Sequence, residues 1–273
     1  MAWWQAILLG LIQGLTEFLP VSSSGHLMIF KELLGVDAEG FLDFTVLVHL
    51  GTVLSTLVVF RAVIWELLKG LFKFRYNDHT DYVCKLVVSM IPVAVVGFFF
   101  KDYVEGLFGD SLTVVGVCLL VTAALLFFSD MASGPRGWVG TNTYRNGISY
   151  WQAFVVGLGQ ACAVAPGLSR SGTTIATGLM TGVRRDVMAQ FSFLMVLVPI
   201  IGEQFLDIVK SLSATGQFFS GAVSGLSLAL GFLAAFLSGL FACKVMVALV
   251  KKARLSWFAL YCVLAAVLVF ILA

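Results

Sequence analysis

Charge is what this chain lacks. Only 12% of its 273 residues are Asp, Glu, Lys or Arg, about half the share of a soluble domain. The 17 basic and 15 acidic residues nearly cancel to a net charge of +2, which by itself says nothing about partners, and no nucleic-acid partner is expected. Paired cysteines are also missing. The five present (Cys84, Cys118, Cys162, Cys243 and Cys262) stand singly in apolar runs, without metal-ligand spacing, and their odd number argues against a disulfide framework. The first apolar stretch has no basic flank and no small-residue cleavage site, and it carries Glu17, so it reads as mature structure rather than a removable signal. What is abundant is apolar: 60% of residues are hydrophobic, 24 of them Phe, and mean hydropathy is +1.00. These values describe a polytopic all-α membrane protein with no room for a separate soluble domain.

Runs long enough to cross a bilayer fall at 44–60, 82–100, 112–128, 187–209, 218–243 and 256–273. Two further segments are broken. Residues 6–26 read AILLGLIQGLTEFLPVSSSGH and residues 153–173 read AFVVGLGQACAVAPGLSRSGT, and at an offset of 147 Ala6/Ala153, Gly10/Gly157, Gln13/Gln160, Ser22/Ser169, Ser24/Ser171 and Gly25/Gly172 are identical. Each copy runs from an apolar helix through proline into a Ser/Gly loop, the pattern of a helical hairpin with its tip buried in protein. The expected organisation is one integral membrane domain, 1–273. It divides into repeat one at about 6–126, a linker at about 129–149 and repeat two at about 153–273, each repeat a hairpin plus three spanning helices, about ten helices in all.

The basic residues orient the chain. Assigning 61–85, 129–149, 183–186 and 244–254 to the cytoplasm places thirteen Lys/Arg there, against only Lys31, Lys101 and Lys210 on the other side. Acidic Asp37, Glu39, Asp43, Asp102, Glu105 and Asp110 join those three. The first hairpin then starts and ends outside, the second inside, and the two repeats are inverted across the membrane plane. Segment 61–75, RAVIWELLKGLFKFR, is basic and amphipathic and is expected at the cytoplasmic interface.

The copies divide the chemistry. Copy one holds Glu17, Ser23 and His26 where copy two holds Val164, Arg170 and Thr173. Gln13 and Glu17 are spaced i,i+4 on one helix face, and ionisable groups at membrane depth are functional candidates. Hydroxyls, exposed N–H groups and helix N-termini suit a phosphate, and Arg170 adds a bidentate fork. If the tips meet, Ser23 supplies a nucleophile, His26 a base and Arg170 an anion clamp, with Ser22, Ser169, Ser171 and Thr174 as further donors. For Ser22, Ser24 and Ser171 close helix packing is an equal alternative. His49 reads as structural, His79 as solvated, and Glu203 and Asp207 receive no role.

QGLTEFLPVSSSGH and PGLSRSGTT resemble the two signature motifs of the bacterial undecaprenyl-diphosphatase family (UppP/BacA), linked to bacitracin resistance. The likeness extends over the whole chain in length and motif order. It implies removal of the terminal phosphate from undecaprenyl diphosphate, which recycles the carrier for peptidoglycan synthesis. It also implies interlocked inverted repeats in the inner membrane, with the site reached from the periplasm. Carried over by motif, the functional residues are Gln13, Glu17, Ser23, His26, Ser169, Arg170 and Thr174. The first position of the family's Glu/Gln-x-x-x-Glu pattern is Gln13 here, which leaves Glu17 as one carboxylate to share a Mg²⁺ or Ca²⁺ with substrate phosphates. Expected partners are a polyprenyl diphosphate and bilayer lipids; a homodimer stays open. The SGH element also occurs in type 2 phosphatidate phosphatases, but their second histidine is missing here, since Ala176 stands after SGTTI. The alternative from another class is a transporter or flippase for an anionic polyprenyl phosphate lipid.

Overall fold

Proline and serine set the ends of the first two helices. α1 (Trp3–Phe18) stops where Leu19 is extended (φ −73°, ψ 144°), the conformation that a following proline imposes. α2 (Ser23–Leu33) begins behind Ser22, whose hydroxyl accepts from the Gly25 N–H. The same device recurs at α8 (Arg170–Met180), where the Ser169 hydroxyl accepts from the Gly172 N–H. α2 and α8 are offset by 147 at both ends. The computed structural model describes residues 1–100, 103, 106, 111–133, 144–165, 167–215 and 221–272. Lys101, Asp102, Glu105, Asp110, Arg136 and Pro166 lie outside the described residues, as do the side chains of Glu203, Asp207, Lys210, Lys251 and Lys252.

The other helices are α3 (Phe41–Val59), α4 (Arg61–Leu71), α5 (Asp78–Phe99), α6 (Leu112–Ser133), α7 (Tyr150–Cys162), α9 (Arg185–Met195), α10 (Leu197–Thr215), α11 (Gly225–Lys252) and α12 (Ser256–Leu272). No strand occurs among the described residues. Five segments are long and apolar enough to cross a bilayer: Phe41–Val59, Asp78–Phe99, Leu112–Ser133, Arg185–Leu206 and Gly225–Val250. α12 has 17 residues and is the most apolar helix; it buries Ala259, Cys262 and Ala266 and turns Leu264, Val267 and Ile271 outward. Apolar side chains outside and small ones inside are the pattern of a helix solvated by lipid. The chain is a multi-pass, all-α membrane protein.

Two details depart from the hydropathy reading. The run 187–209 is broken at Val196 into α9 and α10, and Pro199, the third residue of α10, lacks the N–H that would bond back into α9. Lys85, expected in a cytoplasmic loop, lies inside α5 and is buried against Asp81 (2.6 Å), with the Arg145 carbonyl as a second acceptor. Arg185 likewise ion-pairs with Asp130 of α6, whose other oxygen accepts from Ser256 of α12. Part of the basic excess therefore holds helices together rather than facing water.

Small residues fix how the hairpins dock. Ala6, Gly10 and Gly14, spaced by four, give α1 one face almost without side chains, and this face lies on α11. A Cβ at Gly10 would strike the Gly231 carbonyl, and one at Gly14 the Ser238 hydroxyl and Ala235 carbonyl. In the second hairpin, Gly157 of α7 meets the Ser89 carbonyl of α5 in the same way. Each hairpin thus packs on a long helix from the opposite half of the sequence: α1 on α11, α7 on α5. Gly14→Leu should cost about 1–3 kcal/mol through overpacking. A lower unfolding temperature in detergent would register it; unchanged melting would mean the seam is looser than drawn.

Candidate active site

The two tips touch. Ser171 at the start of α8 donates to the Leu19 carbonyl (3.1 Å), and the Ser169 N–H donates to Thr122 of α6 (3.2 Å). Between the tips and α3, α5 and α10 lies a cavity of about 820 Å³. Its polar end is lined by Glu17, Ser22, Ser23, Ser24, His49, Gln160, Ser169, Arg170, Ser171 and Ser192. Its other walls are largely apolar, with Val46, Val93, Phe98, Leu197 and Val198 beside Thr45, Thr52 and Thr56. Such a volume suits a charged head bearing a greasy chain.

Glu17 organises the polar end. It sits in the last turn of α1, its side chain only 11% exposed, and receives groups from four directions. Gln13 Nε2 donates to Oε2 from one turn back (2.8 Å), and the Ser23 hydroxyl donates to the same oxygen (2.5 Å) from across the Pro20 turn. Arg170 Nη2 stands 3.5 Å from Oε1, and His49 Nε2 stands 3.8 Å from Oε2. A carboxylate held in low dielectric is stabilised by such donors. Sequence repetition had brought Glu17, Ser23 and Arg170 together as candidates, and the fold brings them together in space.

Other candidates fall elsewhere. Gln13 lies behind the cavity, bonded to Glu17, with its Oε1 buried and unpartnered. Thr174 is fully buried, and its hydroxyl meets Ser192 (2.6 Å) and the Arg170 and Ser171 carbonyls rather than the cavity. His26 is the main correction. The expected Ser23–His26 pair is not formed: Nδ1 faces the Ser22 carbonyl (2.8 Å) and Nε2 the Tyr261 hydroxyl of α12 (2.7 Å). Side chains spaced i,i+3 do share a helix face. Ser23, however, is the first residue of α2 and its hydroxyl turns back to Glu17, while the His26 ring points to Tyr261, 5.6 Å between centroids.

Three contributors went unread in the sequence. His49, read as structural, lines the cavity beside Glu17; Gln160 lines it from α7; Tyr261 caps His26. Only Gln160 carried a signal, its identity with Gln13 at the repeat offset. For a divalent cation the donor set is thin. Among the described residues no group of three His, Cys, Asp or Glu is arranged to hold a metal, and Glu17 is the one carboxylate among the described lining residues. The unpartnered Gln13 Oε1 and the His49 Nε2 stand beside it. A hard cation fits only as an ion shared with phosphate oxygens.

Comparison with known proteins shows the family. The family model described as Bacitracin resistance protein BacA matches residues 6–268. A protein of Bacteroides thetaiotaomicron called undecaprenyl-diphosphatase is 54% identical over 271 residues, covering 99% of each chain. One of the same name from Parabacteroides distasonis is 53% identical over 97% of this chain and 96% of its own. Another, from Salinibacter ruber, is 39% identical over 97% of both. With a full-length family match and relatives of this similarity, the chain belongs to the BacA family of bacitracin resistance proteins.

Proposed function

We propose that this chain hydrolyses undecaprenyl diphosphate to undecaprenyl phosphate and inorganic phosphate, and so returns the lipid carrier to peptidoglycan synthesis. One observation carries the reading: a serine hydroxyl donating to a buried carboxylate, with a guanidinium on the carboxylate's other oxygen, inside a half-apolar cavity. The relatives' name supplies the substrate.

In this reading the diphosphate enters with its terminal phosphate between the tips. Its oxygens draw Arg170 away from Glu17 and accept from Ser169, Ser171 and the N-termini of α2 and α8. Glu17 takes the Ser23 proton as Ser23 Oγ bonds to the terminal phosphorus. The bridging P–O bond breaks, and polyprenyl monophosphate leaves with that electron pair. Water then attacks the phosphoserine, Glu17 returns its proton to the departing Ser23 Oγ, and inorganic phosphate leaves with the protons of the water. The base is Glu17 rather than His26 because only Glu17 touches the hydroxyl. Glu17 would hold a Mg²⁺ or Ca²⁺ arriving with the substrate, and the ion would neutralise charge on the diphosphate.

The same reading sets the chain in the bacterial inner membrane as two inverted repeats, with both termini and the site opening on the periplasmic side. A membrane-impermeant thiol reagent should label a single cysteine placed at Asp37 but not one at Asn77 in a cysteine-free background. The reverse pattern would invert the orientation.

A flippase would need the phosphate donors but not a hydroxyl poised on a base, and for that reason hydrolysis is preferred. The test is direct. Purified protein in detergent, given a polyprenyl diphosphate and divalent cation, should release one phosphate per lipid and lose that activity to a chelator. Absence of release, with transport of the intact lipid in liposomes, would favour the translocation reading.

A further inference from the structure

We infer that Tyr261 is a positioning residue for the reaction: through His26 it holds the strained Ser22 backbone that aims the Ser23 hydroxyl at Glu17. The inference rests on the phosphatase reading and assigns His26 a different task from that of a base. Ser22 has φ +68° and ψ 95°, a left-handed conformation that non-glycine residues avoid and keep only where surroundings enforce it. Its carbonyl faces His26 Nδ1 at 2.8 Å. A carbonyl can only accept, so Nδ1 carries the hydrogen, and the neutral ring offers Nε2 as acceptor to the Tyr261 hydroxyl (2.7 Å). The Tyr261 ring also lies nearly parallel to the imidazole, 9° between planes. His26 is buried and does not line the cavity, so the chain Tyr261–His26–Ser22 ends at a peptide group and not at the substrate.

The second hairpin supplies an internal control. At the same offset Ser169 has an ordinary φ of −69°, Thr173 replaces His26 with its hydroxyl buried and unpartnered, and Val114 replaces Tyr261. Strain and its clamp occur only in the half that bears the serine on a carboxylate. Ser23 follows Ser22 directly, so relaxing Ser22 would swing its hydroxyl off Glu17, and misplacement on the ångström scale costs about 100-fold in rate.

The test compares four variants of the purified protein on polyprenyl diphosphate, measuring kcat and KM. Tyr261→Phe keeps the ring and removes the donor; kcat should fall about tenfold, the cost of roughly one hydrogen bond, with KM unchanged. His26→Asn can return an N–H to the Ser22 carbonyl without any proton-transfer capacity, and should stay within about tenfold of the tyrosine variant. His26→Ala should fall about 100-fold, and adding Tyr261→Phe to it should change nothing further. The assignment is overturned if His26→Asn is as inactive as His26→Ala while Tyr261→Phe turns over like wild type, because the imidazole would then be transferring protons itself. Should His26→Ala fail to fold, a His26→Asn rate about 100-fold or more below wild type, beside a fully active Tyr261→Phe, overturns the assignment in the same way. A wild-type protein that releases no phosphate would instead refute the phosphatase reading.

Discussion

Glu17→Gln should abolish most turnover, lowering kcat by about 10²–10⁴, the range of a lost general base, while protein yield stays near wild type. The amide keeps an oxygen for Gln13 and Ser23 to donate to, so the tip need not collapse, but it cannot take a proton. Ser23→Ala should fall to a similar rate, and the double variant no lower, because base and nucleophile act as one unit. Rapid quench of the wild type should trap phosphoserine at Ser23. Additive losses without trapped phosphoserine would transfer the attack to a water held by Glu17, with Ser23 only a phosphate ligand. Equal turnover of Glu17→Gln and wild type at every divalent-ion concentration would remove Glu17 from the chemistry.

Arg170→Lys should remove roughly 2–4 kcal/mol of transition-state stabilisation, comparable to losing an oxyanion donor. Arg170 is the first residue of α8 and already reaches Glu17 Oε1 across the tips. Lysine preserves the charge and loses the planar fork that grips two phosphate oxygens. The deficit belongs in kcat/KM for the diphosphate. A lysine variant with nearly full kcat/KM would mean that charge alone, and not paired hydrogen bonds, holds the phosphate.

The sequence made the membrane class and the tip chemistry legible for specific reasons. Glu17 and Arg170 are costly at membrane depth, and each sits in a duplicated motif beside a helix break, so both repetition and polarity marked them. The Gln13–Glu17 bond follows from helical spacing and is observed (2.8 Å). Spacing misled at Ser23 and His26, because Ser22 enters α2 with a left-handed backbone and throws the hydroxyl backward onto Glu17. His49 and Tyr261 were illegible. Each is a lone polar group in an apolar run, and what distinguishes it is a neighbour 32 or 235 positions away that only the tertiary packing supplies. The break at Val196 did carry a mark, Pro199, but a hydropathy window averages over a proline and reports one span.

The crossed docking of the hairpins has a consequence for biosynthesis. α1 has its small-residue face made for α11, which the ribosome reaches only after residue 225. At cellular translation speeds of about 5–20 residues per second, the first hairpin waits roughly ten to forty seconds for its partner. Until residue 170 is made Glu17 has no Arg170 beside it, and until α11 arrives α1 has no helix behind it. Nascent chains stalled before α11 should therefore be held by insertase or chaperone partners, or be cleared by membrane proteases. Two halves expressed as separate polypeptides should each be short-lived alone and recover activity only when made together.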